Sequence, residues 1–160
     1  MSVSIADHCQ DLPVIRFEPG EILLAEGETS GRLFVLVEGA VEILKGDFQI
    51  NIVGDRGAIL GEMSVLLGMP HMATVRAMTP CAVLVSENAS DFLNARPEIT
   101  YLVAQLLAQR LHGVTTYLVD LKRQFQDEGN HLGVVDEILE SLVHEQRQAF
   151  TPGSDRDPGH

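Results

Sequence analysis

The chain has 160 residues, of which 45% are hydrophobic, so a single domain of ordinary size with a packed core is expected. Lys and Arg number 11 against 23 Asp and Glu, and the resulting net charge of -12 makes nucleic acid and anionic membrane surfaces poor partners. The two cysteines, Cys9 and Cys81, lack the spacing of a zinc or iron–sulfur site. We expect both to be reduced and structural in a cytoplasmic protein.

Residues 1–13 are of mixed composition and are predicted to be a short lead-in. They contain neither the apolar nor the basic region of a signal peptide, so none is predicted. No apolar run in the chain approaches the roughly 18 residues that a membrane span needs. Residues 14–96 have the sequence pattern of a β domain, since short apolar segments alternate with Gly-centred turns. This pattern is typical of a sandwich or barrel. The predicted strands are Val14–Phe17, Glu21–Ala25, Leu33–Val37, Ala40–Leu44, Phe48–Val53, Thr74–Ala77 and Cys81–Val85.

Three local patterns also predict how far a strand is buried or where a helix is capped. The continuous apolar run Leu33–Val37 indicates a strand that is buried on both faces, whereas the alternation in Phe48–Val53 indicates a half-buried strand. Ser90–Leu93 is predicted to be a capped helical turn.

A long helix is predicted at 97–126, with Pro97 as its first residue. Its apolar stripe consists of Ile99, Val103, Leu106, Leu107, Leu111, Val114, Tyr117, Leu118, Leu121 and Phe125. At 1.5 Å per residue the helix is roughly 40 Å long, which is too long for a small β domain to cover. We therefore expect a homodimer in which part of the stripe packs against the same helix of a second subunit.

The segment after Phe125 holds eight acidic residues and two arginines, which argues against a basic DNA-reading helix. A shorter amphipathic helix is predicted at 133–150, with Val135, Ile138, Leu139, Leu142 and Val143 on one face. Residues 151–160 are rich in Pro, Gly and Asp and are predicted to be a disordered tail.

The stretch Gly61–Val75 organises the rest of the chain. Small residues and one carboxylate open it, an apolar turn and Gly68 follow, and a β-branched run closes it. This order predicts a loop that enters a brief helix and leaves it as a strand. Free N–H groups at a helix start can hold an anion, and a lone carboxylate can accept hydrogen bonds from a sugar hydroxyl. Phosphate plus ribose is therefore the first ligand to test.

This stretch resembles the phosphate-binding cassette of cyclic-nucleotide-binding domains of the catabolite-activator and protein kinase A regulatory-subunit type. The usual form of that cassette is Phe-Gly-Glu-x-Ala-Leu-Leu, a few residues, then Pro-Arg-Ala-Ala-Thr/Ser-Val. The matching positions are Gly61, Glu62, Leu66, Pro70, Ala73, Thr74 and Val75. The resemblance implies a mainly β fold with helices: a double-stranded β-helix, or jelly-roll, of about eight strands with the cassette at 60–75 and a long helix after it.

The resemblance also implies roles for individual residues. Glu62 would bind the ribose 2′-hydroxyl, Gly61 and Met63 would contribute backbone N–H groups, and Ser64 would cap the short helix or reach the phosphate. Met72, Ala73 and Thr74 continue the pocket, with Thr74 against the phosphate or a guanine edge, and Thr115 on the long helix would face the base.

His71 departs from the family, because it stands where an Arg pairs with the cyclic phosphate. An imidazole gives at most one hydrogen bond and is only partly charged at neutral pH, whereas guanidinium is a permanent bidentate clamp. Three outcomes stay open: weakened cyclic nucleotide binding, a ligand-free domain that keeps the fold for assembly, or a different small anion.

The expected function is therefore a sensor of cyclic AMP or cyclic GMP and not an enzyme. The six histidines show no metal-ligand spacing, and no GxSxG, P-loop or HExxH motif is present, so neither a metal nor catalysis is predicted. With no kinase, channel or DNA-binding domain in the sequence, we expect the output to be an unknown effector protein, or the chain to be part of a longer protein. The rivals are a structural dimerisation module without ligand and a truncated Crp-like transcription regulator.

Overall fold

The computed structural model describes residues 4–125 and 135–142 of the chain. A one-turn helix, α1 (Ile5–His8), precedes a β domain into which a second short helix is inserted. Two further helices follow the last strand. The remaining elements are β1 (Val14–Phe17), β2 (Ile22–Leu24), β3 (Leu33–Glu38), β4 (Val41–Lys45), β5 (Phe48–Val53), β6 (Ile59–Leu60), α2 (Glu62–Leu67), β7 (Thr74–Ala77), β8 (Cys81–Ser86), α3 (Ala89–Ala95) and α4 (Pro97–Gln124).

The eight described strands form two four-stranded antiparallel sheets, with the orders β1-β8-β3-β6 and β2-β7-β4-β5. Every predicted strand is present with its ends within one residue of the prediction, and β6, which has only two residues, is the addition. The jelly-roll class with a long following helix is thus confirmed. Among the described residues, no helix combines the length and apolarity needed to cross a membrane.

The core lies between the sheets and is centred on β3 and β8. Leu33 to Leu36 are at most 1% exposed, because β3 sits between β8 and β6 in its sheet and α1 packs against it. The ring of Phe34 meets that of Phe17 edge-on at 6.0 Å between centroids. The prediction of a strand buried on both faces is therefore confirmed for Leu33–Leu36, while Val37 is half-buried.

The predicted half-burial of Phe48–Val53 is wrong. Phe48, Ile50 and Ile52 are 70%, 53% and 51% exposed, and only Val53 is partly covered. The reason is position: among the described strands β5 pairs with β4 alone, at the edge of its sheet, and an irregularity in the register between Ile43 and Leu44 interrupts that pairing. Sequence alternation shows that a strand has two different faces but not that either face is covered.

The cap of α3 also differs from the prediction. Asn88 precedes the helix, and its side-chain oxygen accepts the N–H of Asp91 at 3.4 Å, so the helix begins before Ser90. Arg96, which ends α3, donates to the backbone carbonyl of His8 at 2.8 Å and pairs with Asp11 at 3.2 Å and with Glu98 at 2.9 Å. This side chain links the lead-in to the start of α4.

The chain divides into two compact units, residues 1–105 and 106–160. In the first unit, Ile99 and Val103 of α4 are fully buried. In the second, Leu118 and Val135 are buried, Val114 and Tyr117 are exposed, and Lys122 pairs with Asp136 of the helical segment 135–142. The rest of the helix predicted at 133–150, and the tail predicted at 151–160, lie outside the described residues.

Candidate functional site

The cassette begins at Gly61, which has left-handed backbone angles (φ 93°, ψ 1°) and precedes α2. A Cβ atom at this position would lie 2.8 Å from the carbonyl oxygen of Arg32 and 3.2 Å from Cδ1 of Leu24. Any side chain would therefore be strained by its backbone and obstructed by Leu24 of β2 and by Arg32, the residue before β3. The missing side chain makes room for the protein's own backbone, which the sequence pattern alone did not reveal.

Glu62 is the first residue of α2 and is 5% exposed, although it carries a carboxyl group. A carboxylate in the first turn of a helix lies where the helix dipole favours negative charge. Met63, the next residue, is 42% exposed. The cassette thus places its carboxylate inward and the side chain of Met63 outward.

Ser64 closes the far end of α2. Its hydroxyl donates to the carbonyl oxygen of Met69 at 2.5 Å, and its own carbonyl accepts the N–H groups of Gly68 at 2.9 Å and Met69 at 3.2 Å. The side chain is 6% exposed. In this structure the Ser64 hydroxyl is engaged in the turn that follows the helix.

His71 is buried, at 5% exposure, and is held on three sides. The ring atom Nε2 lies 2.8 Å from Oγ of Ser30. The backbone N–H of His71 donates to the carbonyl of Glu28 at 2.9 Å, and its backbone carbonyl accepts the N–H of Gly27 at 2.9 Å. Cε1 of the ring lies 3.7 Å from the position that a Cβ of Gly61 would take. The fold therefore brings the start and the end of the cassette together at Gly61 and His71.

Ser30 was not among the residues singled out from the sequence. It lies 41 residues from His71 along the chain, and its only local signal in the sequence is the neighbouring Gly31, which is typical of a loop. Contacts between residues so far apart depend on how the strands pair, so they cannot be derived from a local pattern.

Burial lowers the pKa of His71 below its ordinary value, and the nearby carboxylate of Glu28 opposes this shift only in part. Desolvation disfavours the charged imidazolium, which explains the direction. The imidazole is consequently neutral at pH 7 when no ligand is bound.

This lowered pKa predicts acid sensitivity of the fold. Since the unfolded chain binds a proton at His71 more readily than the folded chain, the stability contributed by the neutral ring is complete above the unfolded pKa of about 6.5 and falls as the pH drops through the folded pKa. Urea unfolding at a series of pH values between about 7.5 and 5 measures it. His71→Gln, which keeps a hydrogen-bonding group without the titration, should show a smaller loss of stability over this range. Equal pH dependence in both proteins would contradict the assignment.

The end of the cassette is tied to two neighbouring segments. Oγ1 of Thr74 accepts the N–H of Glu26 at 3.0 Å, and Nζ of Lys45 donates to the carbonyl of Met72 at 2.7 Å while pairing with Glu26 at 3.1 Å. The N–H of Gly46 and this lysine lower the pKa of Glu26. Ala73 is half-buried, and Met72 is 40% exposed. These contacts position the backbone that leads from His71 into β7.

Thr115 belongs to the second compact unit, where it is half-buried on α4. The cassette residues belong to the first unit.

Among the described residues, no three His, Cys, Asp or Glu side chains are grouped as a metal ion would require. Both cysteines are free and buried, and burial raises the pKa of the Cys9 thiol to about 11. A thiol with so high a pKa is unreactive at neutral pH, in keeping with the structural role predicted for it.

Comparison with known proteins agrees with this geometry. A family model described as a cyclic nucleotide-binding domain matches residues 14–95. A CRP-like cAMP-activated global transcriptional regulator from Mycobacterium tuberculosis is 29% identical over 124 residues, which cover 74% of this chain and 55% of the regulator. A cAMP-dependent protein kinase regulatory subunit from Yarrowia lipolytica is 30% identical over 74 residues, covering 46% of this chain and 20% of the subunit.

Among solved structures, a cyclic nucleotide-binding domain from Methylobacillus flagellatus KT has a TM-score of 0.58 and 26% identity, covering 71% of this chain and 70% of that one. The chain spans only about half of the length of the M. tuberculosis regulator. The family match includes more than half of the chain and contains both sheets, the cassette and α3. The chain therefore belongs to the cyclic nucleotide-binding domain family.

Proposed function

We propose that this chain is a regulatory module that binds a cyclic nucleotide, cyclic AMP or cyclic GMP, at the cassette and passes the binding event to a partner. The observation that carries the proposal is the convergence of Gly61, the buried carboxylate of Glu62 and the buried imidazole of His71 at one place in the fold. The two curated relatives support it, since one is described as cAMP-activated and the other as a regulatory subunit of a cAMP-dependent kinase.

In this proposal each cassette residue has a chemical task. The carboxylate of Glu62 accepts a hydrogen bond from the ribose 2′-hydroxyl, and the backbone N–H groups of Gly61 and Met63 donate to phosphate oxygens. The ring of His71 donates one further hydrogen bond. Thr74 extends the site toward the base, and Met72 and Ala73 line it; a contact of Thr115 with the base stays a prediction from the family resemblance.

We further propose that the affinity is weaker than an arginine would give. Residues 60–75 contain neither Lys nor Arg. The nearby cations are engaged elsewhere: Arg32 pairs with Glu87 at 2.8 Å, Lys45 with Glu26 at 3.1 Å, and Arg76 with Glu42 at 2.7 Å. The charge of a bound phosphate is therefore met by neutral donors, which favours micromolar or weaker binding.

In this proposal α4 transmits the conformational change caused by ligand binding to a partner. A ligand that binds one conformation better shifts the population toward it, and the long helix α4, which follows α3, can carry the change to a partner. Homodimerisation along the stripe that includes the exposed Val114 and Tyr117 is part of the proposal, as are an effector protein and a cytoplasmic location.

Titration calorimetry with cyclic AMP and cyclic GMP tests the function. If His71 meets the phosphate, affinity should rise as the pH falls from about 7.5 to about 6, because the bound anion favours the imidazolium and raises its pKa from the lowered value of the free protein. The His71→Gln variant, which cannot titrate here, should lose this pH dependence.

Two results would count against the proposal in different ways. Binding that does not vary with pH in the unmodified protein would remove His71 from the phosphate. No heat of binding, together with no thermal shift for any cyclic nucleotide, would favour the ligand-free assembly module, since a ligand of the native state must stabilise it.

A further inference from the structure

We infer that Ser30 is a further positioning residue of this ligand site: its hydroxyl holds the His71 imidazole as the neutral tautomer protonated on Nδ1, so that an uncharged ring offers an N–H donor to the ligand phosphate. The inference rests on the proposed function for its ligand, but the state of the ring is a property of the free protein. It explains how a histidine with a lowered pKa can still donate a hydrogen bond to an anion at neutral pH.

The first step of the argument is a hydrogen-bond inventory. Oγ of Ser30 lies 2.8 Å from Nε2 of His71 and accepts the backbone N–H of Arg32 at 3.2 Å. The contact with Nε2 has no direction of its own, because a hydroxyl can donate one proton and accept two; we assign the hydroxyl proton to Nε2 because the Arg32 N–H already takes one acceptor position of the oxygen. Nε2 therefore accepts, and the single proton of a neutral ring is on Nδ1. The tautomer is assigned from these contacts.

The second step is placement. The segment 27–30 holds His71 by its backbone as well as by its side chain, because Gly27 and Glu28 form two main-chain hydrogen bonds of 2.9 Å with it. Ser30 follows in the same loop and fixes the ring. Since Cε1 faces Gly61 and Nε2 faces Ser30, the orientation of the imidazole is set before a ligand arrives. A donor that is already oriented loses little entropy on binding.

The third step is the balance of charge around the ring. Glu28, on the loop packed against His71, favours the protonated form, whereas burial favours the neutral form and outweighs it. Arg32, two residues after Ser30, is paired with Glu87, and Lys45, the last residue of β4, is paired with Glu26. Glu62 follows Gly61 on the helix side. Without a ligand, burial therefore outweighs the carboxylate of Glu28, and the ring of His71 is neutral at pH 7.

The first test uses the ligand-free protein. Nitrogen chemical shifts of the His71 ring, measured by NMR across a pH titration, should show a protonated Nδ1 and an unprotonated Nε2 at neutral pH. In Ser30→Ala the neutral form loses a donor, so the pKa of His71 should rise, and in Ser30→Thr, which keeps the hydroxyl, it should not. A ring protonated on Nε2, or a pKa that falls in Ser30→Ala, would overturn the inference.

The second test is binding of cyclic AMP by calorimetry at about pH 7.5 and about pH 6. Ser30→Ala should bind about three- to tenfold more weakly at the higher pH, with a changed pH profile, and Ser30→Thr should recover the affinity. Ser90→Ala, an exposed serine on α3, is the matched control. Unchanged affinity and pH profile in Ser30→Ala would reject Ser30 while leaving the proposed function intact. If the unmodified protein binds no cyclic nucleotide, the proposed function fails, and the NMR result still decides the tautomer.

Discussion

Replacing His71 with arginine should raise the affinity for cyclic AMP by about ten- to a hundredfold. A charge-assisted hydrogen bond contributes about 1.5–3 kcal/mol, and each 1.4 kcal/mol changes a dissociation constant tenfold. Guanidinium offers two parallel donors and a permanent charge, whereas the imidazole has one nitrogen already occupied by Ser30 at 2.8 Å. Calorimetric titration of His71→Arg beside the unmodified protein measures the gain.

Two matched variants separate charge from geometry. His71→Lys supplies a charge without the planar fork, so its gain should be smaller than that of His71→Arg. His71→Gln supplies neither, and its affinity should not rise. Binding by His71→Arg should also be independent of pH between about 6 and 7.5, because arginine does not titrate in this range. We expect this order of affinities if the side chain of residue 71 contacts the phosphate of the ligand.

A failure of His71→Arg to bind more tightly would have a specific meaning. The existing ring is 5% exposed and lies against Ser30 and Gly61, so an arginine must extend past them to reach a ligand. If all four proteins bind equally weakly, or not at all, the space over the cassette does not admit a phosphate. The chain would then be a module that keeps the fold for assembly.

The sequence predicted the fold well because the signals that define it are local. A run such as Leu33–Leu36 indicates a buried strand wherever it lies, and Pro97 starts a helix by its own geometry. The exposure of Phe48, Ile50 and Ile52 could not be predicted, because it depends on β5 being at an edge. The choice of Asn88 over Ser90 as the cap depends on small differences between two good capping residues.

The site was only partly predictable for the same reason. The family pattern pointed to Gly61, Glu62 and His71. In the structure the ring of His71 lies close to Gly61, and the side chains of Glu62 and His71 are buried. The partner of His71 comes from a loop 41 residues away, and Oγ1 of Thr74 is engaged by a backbone N–H 48 residues away. Such contacts are set by strand pairing, so they cannot be predicted from the spacing of residues along the sequence.

The second large effect concerns Gly61. Replacing it with alanine should lower the free energy of unfolding by about 2–5 kcal/mol, of which about 1–2 kcal/mol is the cost of left-handed angles and the remainder is overpacking. The overpacking follows from distance, since the new Cβ would lie 2.8 Å from the backbone oxygen of Arg32 and 3.2 Å from Leu24. Urea unfolding monitored by circular dichroism gives the difference, provided that the transition is two-state.

Gly68 is the matched control for this prediction, because it also has a positive φ, 66°, and ends the same helix that Gly61 begins. Among the described residues, no atom beyond the chain neighbours of Gly68 lies within 4 Å of a Cβ placed there, so Gly68→Ala should lose only the backbone term of about 1–2 kcal/mol. The excess loss in Gly61→Ala therefore measures how tightly the cassette is held against Leu24 of β2 and against Arg32, the residue before β3. If the two variants are equally destabilised, the cassette moves away from Arg32 at no cost, and Gly61 cannot be what fixes its position. A clear excess, in contrast, means that the protein packs its backbone against this glycine before any ligand arrives, which is what a pre-formed binding site requires.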